Sequence, residues 1–142
     1  MDRRLNLTPE QFRQEYFLRS RPVVLAGAAR DWACCQKWSF DYFRRDHGEQ
    51  DLLIVDAPGL TTRNQKADYE FLSVRSLVDN IRQGGEKYLR FSPLMHDQPT
   101  LASDLDLDWL ASMRGAGTFG NTYYMFIGGT NRKTLLHADQ PC

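Results

Sequence analysis

Apolar positions along the chain change their spacing several times, and each change marks an element. Phe12, Tyr16 and Phe17 recur at helical intervals, as on the buried stripe of an amphipathic helix. Thr8-Pro9-Glu10-Gln11 opens that helix: the threonine hydroxyl accepts a backbone N–H, proline suits the first turn, and glutamine completes a capping box. Arg21-Pro22 breaks it. Val23-Val24-Leu25-Ala26-Gly27 is then a short β-branched run bounded by turn residues, the pattern of a buried strand. Ser39 begins a second helix through Tyr42 and Phe43 that ends at Gly48.

Residues 52–55 predict a second strand, and the polar stretch 61–68 a loop or hairpin. Ser73 caps a third helix, in which Val74, Leu77, Val78 and Ile81 share one face before Gly84-Gly85 stops it. Tyr88-Leu89-Arg90-Phe91 predicts a strand. Residues 92–120 are irregular, with Pro93, Pro99 and a short amphipathic segment around Leu105, Trp109, Leu110 and Met113, a covering layer rather than a sheet. Tyr123-Tyr124-Met125-Phe126-Ile127 is strongly strand-forming, Gly128-Gly129-Thr130-Asn131 turns, and residues 133–139 supply the partner strand of a hairpin. Neither Gly84-Gly85 nor Gly128-Gly129 is followed by Gly-Lys-Ser/Thr, so both read as turn glycines rather than a phosphate loop.

Composition narrows the class. With 142 residues, 42% hydrophobic and 25% charged, the chain suits one core and is unlike a membrane span or a disordered tail. Eighteen basic residues balance eighteen acidic ones without clustering, which gives no positive surface for a phosphate backbone and so no nucleic-acid partner. Met1-Asp2-Arg3-Arg4-Leu5 leads into polar residues rather than an apolar run, so the reading is cytoplasmic, with no membrane partner. Three cysteines, with Cys34-Cys35 adjacent and Cys142 last, form neither a disulfide framework nor a Cys-x-x-Cys pattern; reduced structural thiols are expected. Trp32 and Trp38 read as core anchors, and His47 and His96 as surface or loop residues rather than ligands.

The chemistry is expected on the last strand. Side chains alternate between faces of a strand, so His137 and Asp139 point the same way, with Cα atoms about 6.6–6.8 Å apart. An imidazole and a carboxylate at that separation can meet one ion and make two bonds of the two-histidine, one-carboxylate arrangement that leaves positions open on iron(II). By itself His-x-Asp is short, and a solvated strand end is its ordinary meaning.

Its setting is more specific. Met125-Phe126-Ile127-Gly128-Gly129-Thr130 running into Thr134-Leu135-Leu136-His137-Ala138-Asp139 resembles the signature of the Jumonji C-type, cupin-like oxygenases: apolar strand, glycine turn, Thr-x-x-His-x-Asp. The resemblance reaches back through Arg21-Pro22-Val23-Val24-Leu25-Ala26-Gly27-Ala28, Asp31-Trp32, Lys37-Trp38-Ser39 and Tyr88-Leu89-Arg90-Phe91. It implies an α+β fold in which N-terminal helices and strands lead into a cupin barrel (double-stranded β-helix, jelly-roll). It also implies Fe(II) held by His137 and Asp139, and 2-oxoglutarate as co-substrate beside Thr134, with Tyr88 matching a tyrosine that contacts the co-substrate in some members. Ideal alternation puts Thr134 on the face opposite His137, and a bulge or bend at Leu135-Leu136 could bring it round.

The family's third ligand, a further histidine, and a basic residue that grips the co-substrate lie downstream of His-x-Asp, where this chain has only Gln140, Pro141 and Cys142. The expectation is therefore a single cupin-like domain over 1–142, truncated on its C-terminal side: a leading and covering region at 1–120 and the first metal-ligand hairpin at 121–142. Such a fragment would be an incomplete barrel with exposed strand faces and edges, prone to form a homo-oligomer. The resemblance implies a 2-oxoglutarate-dependent dioxygenase that hydroxylates a protein side chain or a small molecule. The alternative is a non-catalytic cupin-like interaction module.

Overall fold

A computed structural model describes residues 1–56, 68–114 and 123–130. Within them the fold is α+β, as expected, and it resolves into two compact units: Met1–Trp38 with Met95–Tyr123, and Ser39–Leu94 with Tyr124–Cys142.

In the first unit β1 (Asp2–Arg4) pairs in parallel with β2 (Val23–Leu25), Asp2 opposite Val23 and Arg4 opposite Leu25. β1 is charged and carries no hydrophobic alternation, so the sequence gives no sign of it. Its side chains explain it: Arg4 Nη1 donates to the Tyr16 hydroxyl at 3.1 Å, and that hydroxyl donates to Asp2 Oδ2 at 3.3 Å. The strand is thus pinned to the one fully buried side chain of the first helical segment.

That segment begins as expected. In α1 (Pro9–Phe12) the Gln11 N–H donates to Thr8 Oγ1 at 3.2 Å and the Thr8 N–H to Gln11 Oε1 at 3.0 Å, which closes the capping box. It then widens into a π-helical turn, Arg13–Phe17, closed by Leu18 N–H to the Arg13 carbonyl at 2.9 Å. The widened turn shifts the phase of the helix, so Tyr16 is buried while Phe17 is 51% exposed. The expected stripe of Phe12, Tyr16 and Phe17 is corrected to Tyr16 as its buried anchor.

α2 (Ala33–Lys37), α6 (Pro99–Ala102) and α7 (Leu107–Arg114) complete this unit, and α5 (Leu94–Asp97) precedes α6. Between 94 and 114 the expected covering layer is three short helices joined by turns. Leu101 and Met113 are buried, and Trp32 meets Trp109 edge-on at 5.7 Å. The buried carboxylate of Asp104 accepts from Trp38 Nε1 at 2.8 Å and from Lys37 Nζ at 3.0 Å. Trp32 and Trp38 are half-buried anchors, held by an aromatic edge and an ion-paired carboxylate rather than by full enclosure.

In the second unit Ser39 caps α3 (Phe40–Asp46), its Oγ accepting from the Tyr42 N–H at 3.1 Å. A Cβ on Gly48 would collide with the Arg44 carbonyl oxygen, so only glycine permits that exit. β3 (Asp51–Asp56), β4 (Asp68–Ser73), β5 (Lys87–Ser92) and β6 (Met125–Ile127) form an antiparallel sheet in the order β4-β3-β5-β6. α4 (Val74–Arg82) starts at the Ser73 cap and ends before Gly84, whose φ of +78° suits the left-handed position after a helix.

α4 lies against α3, β4 and β5. Val74, Leu77 and Val78 on the helix and Leu52, Ile54, Leu89, Met125 and Ile127 on the strands are its buried partners in this core. β4 falls partly inside the stretch expected to be a loop or hairpin; residues 61–67 lie outside the described residues, as does the expected strand 133–139.

Candidate functional site

Strand alternation divides the sheet into two unlike faces. Leu52, Ile54, Leu89 and Ile127 point to the helix side and are buried. Leu53 and Phe71, opposite one another, lie on the other face, as do Tyr69 and Tyr88, whose strands flank β3. On that side Tyr69 is 64% exposed and Phe71 77% exposed. Aromatic side chains favour strands, but here they are set on the side that α4 does not cover.

Tyr88, the expected co-substrate contact, belongs to this open face. Its ring stands 6.4 Å from that of Phe126 on β6. The neighbouring strand register carries an irregularity: Leu89 pairs with Ile127 but Ser92 with Met125, so β5 has one residue more than β6 between those pairs. Phe91 absorbs it with a φ of +49°. The bulge lets Leu89 and Ser92 both be buried and leaves Arg90 and Phe91 both exposed. The Phe91 ring then meets Phe126 at 4.9 Å and Tyr124 at 5.7 Å, with the Arg90 guanidinium 5.3 Å from its centre.

The open face thus combines a phenol, a guanidinium and a wall of aromatic rings. A bound carboxylate would find a hydrogen-bond donor in Tyr88 and a cation in Arg90, beside rings that displace water. Sequence reasoning passed over Arg90, Phe71 and Phe126. For Arg90 the signal was available, since it stands two residues from Tyr88 and shares its face.

Thr134, His137 and Asp139 lie outside the described residues. Among the described residues no group of three or more His, Cys, Asp or Glu side chains could hold a metal ion. His96 is exposed, as expected. His47 is not a surface residue: it is only 7% exposed, with Nε2 3.2 Å from the Tyr42 hydroxyl and its ring against Tyr42 and Phe43. At the C-cap of α3 the chain turns the imidazole back onto its own helix, a burial that local hydrophilicity does not reveal.

In the first unit a cavity of about 230 Å³ is lined by Leu7, Leu25, Gly27 and Trp109 together with Arg4. The Arg4 guanidinium is held by the Tyr16 hydroxyl and, at 3.2 Å, by Glu15. No acid–base pair faces that cavity among the described residues that line it.

The family model of the cupin-like domain matches residues 9–141, and the chain belongs to that family. It is similar to lysine-specific demethylase 8 of Xenopus tropicalis, 26% identical over 135 residues that cover 92% of this chain and 30% of that protein. It is also similar to the bifunctional peptidase and (3S)-lysyl hydroxylase JMJD7 of Homo sapiens, 24% identical over 144 residues that cover 93% of this chain and 46% of that protein. The chain therefore spans less than half the length of these two relatives. The Jumonji C-type resemblance holds at the level of the family. No helix among the described residues is long and apolar enough to cross a membrane.

Proposed function

We propose that the chain carries part of the site of an iron(II)- and 2-oxoglutarate-dependent hydroxylase. The observation that supports this reading is the position of Tyr88, on the open aromatic face of the sheet rather than in the core beneath α4. His137 and Asp139 would hold the metal, one through an imidazole nitrogen and one through a carboxylate oxygen, a donor set suited to iron(II). A complete facial triad takes one further imidazole. Bound iron(II) supplies the activation of dioxygen that accompanies oxidative decarboxylation of 2-oxoglutarate.

The chain's own residues bind and orient. The Tyr88 hydroxyl donates to the far carboxylate of 2-oxoglutarate, and the Thr134 hydroxyl donates beside it. Arg90 supplies positive charge to the same face, and the Phe126 ring beside Tyr88 gives it an apolar flank. Both relatives are named for lysine chemistry, which makes a protein lysine side chain the first substrate class to test.

The test is anaerobic titration of the chain with Fe(II) and 2-oxoglutarate, followed by the visible charge-transfer band of the chelate. With only two of the three ligands in this chain, Fe(II) binding is expected to be weak in the unsubstituted chain and weaker still in His137→Ala and Asp139→Ala, and the band to develop fully when imidazole is added to supply the third nitrogen. Tyr88→Phe removes one hydrogen bond to a charged group, about 1.5–3 kcal/mol, and is expected to weaken 2-oxoglutarate binding roughly tenfold or more while leaving the fold intact. No band even with added imidazole, together with Fe(II) binding in His137→Ala and Asp139→Ala identical to that of the unsubstituted chain, would sink the reading.

That outcome would favour the second reading, a non-catalytic cupin-like interaction module. The exposure of Tyr69 and Phe71 on one face supports it. In that case a homo-oligomer forming through this face is expected in sedimentation, and Phe71→Lys would disperse it.

A further inference from the structure

Arg4, Leu25 and Trp109 take no part in the site above. They line the cavity of about 230 Å³ in the first unit, whose walls come from the end of β1, the turn after β2 and α7. That turn is tight: the Ala28 N–H reaches the Leu25 carbonyl at 3.4 Å, and Gly27 sits at φ +77°, the third position of a type II turn, which favours glycine. A cavity of roughly 150 Å³ admits benzene, so this one has room for a ring and a small polar group.

Its polar lining is one-sided. Arg4, Asn6 and Trp109 bring N–H donors to it, and no Asp or Glu lines it among the described residues. The Arg4 guanidinium is held in place: Nη1 donates to the Tyr16 hydroxyl at 3.1 Å and to Glu15 at 3.2 Å, and Tyr16 is only 1% exposed. Both bonds use Nη1. The edge formed by Nε and Nη2 therefore has no partner among the described residues, and it offers two parallel N–H bonds, the fork that a carboxylate accepts bidentately.

Glu15 offsets part of the Arg4 charge. The Arg30 guanidinium adds a second one: it lies across Gly27, with Nη2 3.5 Å from where a Cβ would stand, and has no acidic partner among the described residues. The apolar walls, Leu7, Leu25 and the Trp109 ring, suit a flat hydrocarbon body, and Trp109 is itself braced edge-on by Trp32 at 5.7 Å. Inorganic phosphate would take the fork but leave those walls wet.

We propose that this cavity binds a small carboxylate with a flat apolar body, the carboxylate on the Nε–Nη2 edge of Arg4 and the body against Trp109 and Leu25.

The whole chain, labelled with ¹⁵N, is titrated with sodium benzoate, and the indole N–H signals of Trp109 and Trp38 are followed by NMR. Saturable one-to-one binding at roughly millimolar concentration is expected. The Trp109 signal should move, and that of Trp38, whose N–H is bonded to Asp104, should not. Benzamide, the neutral isostere, acetate, which lacks the ring, and inorganic phosphate are each expected to bind at least about tenfold more weakly. Arg4→Lys keeps the charge and removes the fork, so benzoate affinity should fall about tenfold with an unchanged circular dichroism spectrum; if that variant is unfolded, the benzamide comparison in the unsubstituted chain decides. Arg90→Gln, on the sheet of the other unit, is expected to leave benzoate binding as it is. Benzamide or phosphate binding as tightly as benzoate, a Trp109 signal that stays still, or affinity lost with Arg90 rather than with Arg4 would each overturn the site.

Discussion

Replacing Phe91 by alanine and, separately, by glycine isolates the backbone strain held at the bulge between β5 and β6. Phe91 sits at φ +49°, where an L side chain crowds the following carbonyl at roughly 1–2 kcal/mol. Both substitutions delete the same ring, with its contacts to Phe126 at 4.9 Å and Tyr124 at 5.7 Å. Ring pairs are worth about 0.5–1.5 kcal/mol each, and Phe91 is 53% exposed, so their combined loss belongs near 1 kcal/mol. Alanine bears that loss and keeps the strain. Glycine sheds the strain but returns about 0.4–1 kcal/mol through the greater freedom of its unfolded chain.

The net expectation is that Phe91→Gly is more stable than Phe91→Ala by roughly 0.5–1 kcal/mol. Elsewhere in a strand the order is reversed, because glycine weakens it. Urea unfolding followed by circular dichroism measures the difference, provided that both variants share one m-value. An alanine variant as stable as the glycine variant, or more so, would show that the bulge carries no left-handed strain. The bulge matters to the open face because it turns Arg90 and Phe91 to the same side as Tyr88.

Two further outcomes follow from buried and paired carboxylates. Asp104→Ala removes the acceptor of the Trp38 indole N–H at 2.8 Å and the partner of Lys37; with Lys37 largely solvated, about 2 kcal/mol of stability should be lost, read by tryptophan fluorescence, whereas Asp104→Asn should lose less. The Arg44 guanidinium, bonded to both oxygens of Asp79 at 2.8 and 3.3 Å, holds that carboxyl below its ordinary value. A depressed folded value means that the stabilisation is present above the unfolded value of about 3.9 and is lost as pH falls through the folded one. The stability gap between the native chain and Asp79→Asn should accordingly be constant near neutrality and close on acidification; a gap that widens in acid would contradict the pairing.

Much of the local structure was legible along the chain. Thr8, Ser39 and Ser73 announce their helices because a capping side chain acts on backbone within three residues, and Gly84 and Gly48 announce the ends for equally local reasons. β5 and β6 were readable from β-propensity. β1 was not, because it is a charged strand held by Tyr16 rather than by alternation. β4 was missed because Tyr69, Glu70, Phe71 and Leu72 are apolar-rich on both faces and give no clean period of two. His47 was misread because its burial comes from Tyr42 and Phe43 folding against it.

For the candidate site, the motif containing Thr134, His137 and Asp139 was visible as spacing, and so was Tyr88 as part of a strand. The face on which Tyr88 stands was not visible, nor was the company of Phe126, Phe71 and Arg90. Alternation states that Tyr88 and Leu89 point to opposite sides, but it is silent on which side receives a helix.

The order of elements, their caps and stops, and the succession of motifs that marks the cupin-like family were determined by the sequence, since each depends on interactions spanning a few residues. Tertiary structure alone decided that α4 covers Leu89 and leaves Tyr88 open, and that Asp104 joins Trp38 and Lys37 across 66 and 67 residues. The reason is physical: burial and pairing belong to two surfaces at once, and a stretch of chain encodes only its own.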